Sequence, residues 1–305
     1  MDSIKKMKID SVVKYIFMTL AMICASSIIL IVLFIFIKGV QPFINEYKTD
    51  NGVYTQNVWD FLIGTTWASN LYGVLGIAIN TIYIVSIAAL LSLVISILTA
   101  LFIVRIAPKK LSICMKSVIE LLAAIPSIVF GLFGQGYICP LIRDFAESIG
   151  IQTMGGVSVI ATIIVLTIMM IPTITTISIT SMEAIKQDQI QASLALGATK
   201  AQTDFKIVLK VAKSGIFAAL ILGIGRALGE ATAVSMVCGD VIEGPVFNLF
   251  EPTRTLTSTM IGSIHESSGI DYDIRFSVGI VLIAIILVAN VGLNALKRRM
   301  ERIWK

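Results

Sequence analysis

Charged residues are scarce in this sequence of 305 residues, where Asp, Glu, Lys and Arg together make up 14%. Hydrophobic residues make up 56%, and the mean hydropathy is +0.91. Soluble globular domains carry about 25% charged residues, so this composition excludes that class. The sequence therefore predicts an integral membrane protein.

Motifs for covalent chemistry are also missing. The sequence contains no P-loop, so we expect this chain not to bind or hydrolyse ATP by itself. It contains no HExxH, no GxSxG and no Cys/His spacing typical of a metal site, and its single histidine, His265, is expected to be an ordinary loop residue. We therefore predict no catalytic residue, no metal and no cofactor.

Long apolar runs are what the sequence has in abundance. A helix needs about 20 mostly apolar residues to cross a bilayer, and six segments meet this requirement. They are about 15–37, 78–104, 118–142, 157–179, 215–237 and 276–293. The sequence therefore predicts an all-α membrane protein with six transmembrane helices.

Lysine and arginine are concentrated in alternate connections, and such residues are retained on the cytoplasmic side. The rich segments contain Lys5, Lys6, Lys8 and Lys14, then Arg105, Lys109, Lys110 and Lys116, then Lys186, Lys200, Lys206, Lys210 and Lys213, and finally Lys297, Arg298, Arg299, Arg302 and Lys305. The opposite connections contain Lys48, Arg143, Arg254 and Arg275. We therefore predict that both termini are cytoplasmic.

The net charge of +5 follows from the same asymmetry. No basic stripe with interleaved aromatic residues is present, so we expect membrane lipid and no nucleic acid as a partner. Among the four cysteines, Cys139 and Cys238 both fall near outer ends of predicted spans. A disulfide between them and packing as small apolar residues are the two alternatives, and packing is favoured.

Arg226 and Glu230 interrupt the apolar run 215–237. An arginine at the centre of a membrane helix costs about 2.5 to 3.5 kcal/mol, so such residues usually face the interior of a bundle or an aqueous path. One interpretation is an i,i+4 ion pair that locks helices together. The other is that Arg226 recognises an oxyanion while Glu230 holds it in place or tunes its availability.

Small residues beside this pair predict close helix packing. Gly225, Gly229 and Ala233 recur every four residues, which is typical of a face where two membrane helices approach closely. Pro126, in the third predicted span, is a candidate kink.

The connection between the fourth and fifth spans predicts a helix-turn-helix on the cytoplasmic side. Asp188 with Gln191 resembles an N-cap with its capping-box partner, the first helix is expected over Gln189–Leu196, and Gly197 suits its end. Thr199 with Gln202 predicts a second capping box. Phe205, Val208, Leu209 and Ala212 would then form one apolar face. Such an element is either a tether at the headgroups or a lever docked into another protein.

Several segments resemble those of PstC permeases, a family of phosphate ABC importer subunits. The resemblance lies in Leu222–Val234, which contains Gly225-Arg226-Ala227-Leu228-Gly229-Glu230, in Phe61–Trp67 and in Glu120–Gly131. The helix-turn-helix resembles the ABC importer coupling loop, whose pattern is Glu-Ala-Ala, three residues, Gly, nine residues, Ile, one residue, Leu-Pro. The corresponding residues here are Gln191, Ala192, Ser193, Gly197, Ile207, Leu209 and Lys210, of which Gln191, Ser193 and Lys210 depart from the pattern.

This resemblance implies a single type I, MetI-like permease domain over 1–305, with a coupling loop at about 182–213. It implies a multi-pass subunit of the bacterial plasma membrane that imports phosphate past Arg226 and performs no chemistry of its own. The implied partners are a PstA-like second permease, a PstB-like ATPase and a PstS-like external phosphate-binding protein. The alternatives are a permease for another oxyanion such as molybdate or sulfate, an ATP-independent anion transporter or channel, and a membrane protein that senses phosphate.

Overall fold

The computed structural model describes residues 2–49 and 52–303, so that Lys305 lies outside the described residues. The helices are α1 Asp2–Val40, α2 Val58–Ile63, α3 Leu75–Leu101, α4 Lys109–Ala124, α5 Ser127–Phe133, α6 Cys139–Ser148, α7 Val159–Glu183, α8 Gln187–Ala195, α9 Lys200–Thr203, α10 Leu209–Leu228, α11 Thr232–Val237, α12 Leu256–Ile261 and α13 Ile270–Ile303. A 3-10 turn covers Gln41–Phe43, and π-helical turns cover Phe102–Ile106, Gly134–Ile138 and Asp204–Val208. Two antiparallel hairpins pair β1 Tyr47–Thr49 with β2 Gly52–Tyr54, and β3 Trp67–Ala68 with β4 Leu71–Tyr72.

Within the described residues, five helices are long and apolar enough to cross a membrane, or up to six if a bent pair counts as one span. The five are Val13–Phe43, Leu75–Ile106, Val159–Glu183, Lys200–Leu228 and Ile270–Arg299. The prediction of an all-α membrane protein is confirmed.

The third predicted span, 118–142, is not one straight helix. It is the bent pair, in which Lys109–Ala124 and Ser127–Ser148 meet at 93°. The break lies at Ile125, whose extended backbone is the conformation favoured before a proline, and Pro126 has no N–H with which to continue the helix.

The fifth predicted span, 215–237, also differs in the structure. The helix begins at Lys200, because the side chain of Thr199 caps it, and it ends at Leu228. Gly229 terminates it, and α11 begins three residues later at Thr232. The apolar run therefore contains a break that hydropathy does not register.

The centre of the bundle is built from α3, α7 and α10. Small residues allow close approach: a Cβ at Gly215 would clash with Ser181, and a Cβ at Gly223 would be in tight contact with Ile174. Ser96 Oγ donates to the carbonyl of Ile171, 3.2 Å away. By contrast, α1 is exposed along most of its apolar length, as expected of a helix surrounded by lipid.

Residues 41–49, 52–74 and 238–269 fold together at one end of the bundle, and we call this end the loop face. The last two of these segments are joined by backbone hydrogen bonds, from Trp67 N to Ile242 O at 2.6 Å and from Gly244 N to Thr65 O at 3.0 Å. Cys139 and Cys238 are buried and unpaired in the described part of the chain. Packing, the favoured alternative, is therefore what the structure shows.

Candidate functional site

Arg226 lies in the last turn of α10, against the middle of α7. Its Nη1 donates a hydrogen bond to Thr173 Oγ1 at 3.0 Å. Thr173 lies 14 residues from one end of α7 and 10 from the other, so at 1.5 Å per residue it is roughly 15 to 20 Å from either end. Arg226 is half-buried. The guanidinium therefore lies near mid-depth in the bundle, as the sequence predicts.

Glu230 does not pair with Arg226. The ion pairs found among the described residues do not include these two. The i,i+4 geometry requires a continuous helix, and α10 ends before Glu230. One Glu230 carboxylate oxygen instead accepts from Ala233 N at 3.1 Å, and its carbonyl accepts from Thr257 Oγ1 at 2.8 Å. Of the two interpretations, the ion pair is therefore not the one that the structure shows, and Glu230 organises the break between α10 and α11.

This arrangement leaves the arginine available for an anion. Among the described residues, its hydrogen-bond partner is a neutral hydroxyl, which occupies one nitrogen of the guanidinium. The planar group presents five N–H donors in a fork that matches an oxyanion. A half-buried cation that is not paired with a carboxylate attracts an anion more strongly than the same cation would in water, because the surroundings screen its charge less.

Gly225, Gly229 and Ala233 do not form one packing face. A Cβ on Gly225 would meet nothing within 4 Å among the described residues, whereas Ala233 packs against Gly131 of α5. The four-residue repeat predicts a common face only while the helix continues, and the helix stops at Gly229. Pro126 lies at the bend between α4 and α5, where it breaks the span.

The helix-turn-helix segment, α8 and α9 with their connection, follows the prediction in part. Thr199 and Gln202 form the predicted capping box, with hydrogen bonds of 3.2 and 3.0 Å. Gly197 ends the first helix with a left-handed φ of +86°. Asp188, however, is not the N-cap, because α8 begins one residue earlier at Gln187 and places Asp188 in its first turn.

The predicted apolar face on the second helix is also altered. The π-helical turn Asp204–Val208 inserts an extra residue per turn, so Phe205 points away from the core and is 56% exposed, while Val208 and Ala212 are buried. Ile207 and Leu209 are half-buried.

On the first helix, Gln191 and Ala192 are exposed and Ile190 is buried. Ser193 Oγ lies 2.9 Å from Thr203 Oγ1, which fixes α8 against α9.

A largely buried ion pair beneath this segment was not predicted. Arg105 Nε donates to Asp204 Oδ1 at 2.6 Å, and the two side chains are 19% and 10% exposed. Both residues lie in π-helical turns, one at the end of α3 and the other at the start of the helix leading to Arg226. Arg105 directly follows the predicted span 78–104 and Asp204 lies in the predicted coupling loop, so their opposite charges were a usable signal. The sequence, however, gives no register between the two helices.

Comparison with known proteins identifies the architecture. Residues 92–302 match the family described as binding-protein-dependent transport system inner membrane component. The chain belongs to this family. Permeases of the family are transport subunits of the plasma membrane, and this chain is accordingly a multi-pass membrane protein of an importer.

Individual relatives cover most of the chain. A probable ABC transporter permease protein, YqgH of Bacillus subtilis, is 33% identical over 86% of this chain and 82% of its own length. A probable phosphate transport system permease protein, PstC of Methanocaldococcus jannaschii, is 30% identical over 90% of this chain and 91% of its own. The predicted resemblance to PstC permeases is confirmed.

Solved structures show the same fold. An inward-facing structure of the MetNI methionine ABC transporter matches with a TM-score of 0.57 at 18% identity, over 73% of this chain and 94% of that one. A bacterial ABC transporter that imports the acidic polysaccharide alginate matches with a TM-score of 0.56 at 17% identity, over 73% of this chain and 78% of that one. The MetI-like permease architecture predicted for this chain is therefore confirmed.

Proposed function

We propose that this permease is one membrane subunit of an ATP-driven importer of inorganic phosphate. Its proposed partners are a PstA-like second permease, a PstB-like cytoplasmic ATPase and a PstS-like external binding protein. The names of the relatives support phosphate as the substrate class. The observation that carries the proposal is the Arg226 guanidinium near mid-depth, held by Thr173 and without an acidic partner among the described residues.

Arg226 attracts the anion at the point where a bilayer opposes it most. A charge-assisted hydrogen bond contributes about 1.5 to 3 kcal/mol, which is enough to recruit an oxyanion and still allow its release. A Cβ on Gly225, the residue before Arg226, would meet no described atom within 4 Å, which leaves space for a pathway shared with the second permease. Glu230 keeps the helix break in place and is not a competitor that phosphate must displace.

The helix-turn-helix segment is the proposed contact with the ATPase, which places it and both termini in the cytoplasm. Its exposed surface includes Leu194 at 37% and Leu196 at 89% exposure, and apolar side chains in such a position favour a protein partner. The Ser193–Thr203 contact and the Arg105–Asp204 ion pair connect this surface to the helix whose last turn contains Arg226. Closure of the ATPase would move α8 and thereby shift Arg226.

Reconstitution of the complex of this permease with its proposed partners tests this function. Proteoliposomes with ATP on the ATPase side should take up labelled phosphate, and a tenfold excess of sulfate or molybdate should leave most uptake intact. Uptake that persists without ATP would indicate a channel or secondary transporter. Uptake of sulfate or molybdate in preference to phosphate would assign another oxyanion.

A further inference from the structure

Two arginines, Arg254 and Arg275, lie together on the loop face, apart from Arg226. They line a polar cavity of about 160 Å³ between the β3–β4 hairpin, α12 and the start of α13. The side chains that matter are Trp67, Asp240, Arg254, Ser258, Asp271 and Arg275. At roughly 30 Å³ per water molecule, this volume holds one small anion with bound water.

Arg254 is buried in the wall of this cavity, with 8% of its surface exposed. Its Nη2 forms an ion pair with Asp240, its guanidinium lies 6.0 Å from the centre of the Trp67 ring, and its Nε has no hydrogen-bond partner among the described residues. Burial lowers the pKa of Arg254, Asp240 acts in the opposite direction, and Arg275 adds to the lowering. Arg254 and Arg275 both line the cavity, so an anion bound between them would interact favourably with both cations.

The fold holds the backbone of Arg254 and the side chain of Arg275 in place. Asn80 of α3 donates to the Arg254 carbonyl at 3.2 Å. Arg275 Nη1 donates to the Thr259 carbonyl at 2.6 Å, and its Nε to the Asp271 carbonyl at 3.1 Å. A ligand that binds here does not have to order the Arg275 side chain, which favours affinity.

The two acids of the cavity differ in how firmly they are held. Asp271 accepts a hydrogen bond from the Tyr72 hydroxyl. Asp240 lies at the mouth, where its side chain is 75% exposed. An exposed carboxylate returns to water at little cost, so Asp240 is the acid that an incoming anion can replace.

We propose that this cavity is a receiving site for a small tetrahedral oxyanion, inorganic phosphate, which binds Arg254 and Arg275 and displaces Asp240. The proposal rests on the proposed function, because it adds an earlier position for the same substrate. Helix α12 connects the two positions: Ser258 lines the cavity, and Thr257 Oγ1 donates to the carbonyl of Glu230, next to the helix break. An anion released at the loop face would therefore be held one short helix away from the pathway.

The test is binding of labelled inorganic phosphate to the nucleotide-free complex of the two permeases and the ATPase in nanodiscs, without the external binding protein, in an Arg226→Ala background that removes the other proposed membrane site. We expect Arg254→Gln to lower affinity at least tenfold and Asp240→Asn to raise it several-fold. Arg143→Gln, which changes an exposed arginine paired with Asp144, should change nothing. A purely structural ion pair cannot produce opposite signs, because either variant breaks it equally.

Affinity that falls in both the Arg254 and the Asp240 variants, or changes in neither, overturns the proposal. If the Arg254→Gln complex does not assemble, the phosphate affinity of Asp240→Asn is the deciding measurement. An affinity that is unchanged or weaker contradicts the displacement of Asp240 by phosphate. The measurement is then repeated in phosphatidylcholine nanodiscs that also contain phosphatidylglycerol. If the cavity is a site for lipid headgroups, the added anionic lipid will compete with phosphate and phosphate binding will be lost. If the wild-type complex takes up phosphate but Arg254→Gln leaves phosphate binding unchanged, this inference alone is refuted. If the wild-type complex neither binds nor transports phosphate, the proposed function is refuted.

Discussion

At the scale of single residues, the interaction that matters most is one that does not form. A continuous helix would bring Glu230 to Arg226, but the break at Gly229 separates them and assigns the carboxylate to the backbone N–H of Ala233. Arg226 keeps a neutral partner on α7. The positive charge therefore remains available, and the cost of placing it in the bundle is consistent with a role in binding.

Substitutions of Glu230 separate capping from charge. Glu230→Gln retains an oxygen that accepts from Ala233 N, so we expect phosphate uptake within about twofold of wild type. Glu230→Ala removes the cap at a cost of about 1 kcal/mol and should lower both thermal stability and uptake. Uptake and thermal unfolding of both variants check this. A Gln variant as damaged as the Ala variant would instead indicate that the charge is required.

Thr173 positions the guanidinium. Thr173→Val removes this hydrogen bond at a cost of about 0.5 to 1.5 kcal/mol, so the KM for phosphate uptake should rise roughly threefold to tenfold. Thr176→Val is the matched control, because its hydroxyl bonds the carbonyl of Pro172 in its own helix. Uptake kinetics of the two variants are compared. Equal KM values would remove Thr173 from the site.

At the scale of elements, two π-helical turns are joined by the Arg105–Asp204 ion pair. Breaking a buried pair from one side leaves an unpaired charge, which costs about 3 to 5 kcal/mol. We therefore expect Arg105→Ala and Asp204→Ala each to reduce both the stability and the amount of phosphate imported per ATP hydrolysed. The loss of stability in the double variant should be smaller than the sum of the losses in the two single variants. Thermal unfolding and coupled transport are measured for all three.

The Lys116–Glu183 pair is the control for this cycle, because its side chains are 31% and 48% exposed. Exposed pairs contribute about 0 to 1 kcal/mol, so Lys116→Ala should have a small effect. Additive effects at Arg105 and Asp204 would contradict a coupled role for the pair.

Gly197 sets the turn of the helix-turn-helix segment. Its φ of +86° is disfavoured for any residue with a Cβ, so Gly197→Ala should cost about 1 kcal/mol and reduce ATPase-coupled uptake. Gly136→Ala is the control, since a Cβ there meets no described atom within 4 Å. Thermal unfolding and uptake provide the readouts. Equal behaviour of the two variants would show that the turn conformation is not required.

Local sequence signals predicted two features of the helix-turn-helix segment whose interactions are themselves local, although Asp188 is not the N-cap predicted for α8. The Thr199–Gln202 capping box and the Gly197 turn depend on residues within four positions of each other, and both form. The Arg226–Glu230 pair and the Gly225 face assumed that a helix continues through an apolar run. Hydropathy reports burial in lipid but not a break whose polar groups are satisfied by other helices, as Thr257 satisfies the carbonyl of Glu230.

At the scale of the whole molecule, the fold class follows from composition, because a bilayer admits few backbone solutions. The 93° bend between α4 and α5 does not follow, although Pro126 marks its place. The register between α3, α7 and α10 comes from tertiary packing, so the Arg105–Asp204 and Arg226–Thr173 contacts lay beyond sequence reasoning. The loop-face cavity is likewise assembled from distant segments.

ATP-dependent uptake of labelled phosphate by proteoliposomes, with wild-type protein and with Arg226→Ala, tests the function of the molecule most directly. Loss of a charge-assisted interaction of about 1.5 kcal/mol or more predicts that uptake falls at least tenfold in Arg226→Ala. Arg143→Ala, at an exposed arginine, should transport normally. Normal ATP-driven uptake by Arg226→Ala would contradict the proposal that phosphate passes this residue.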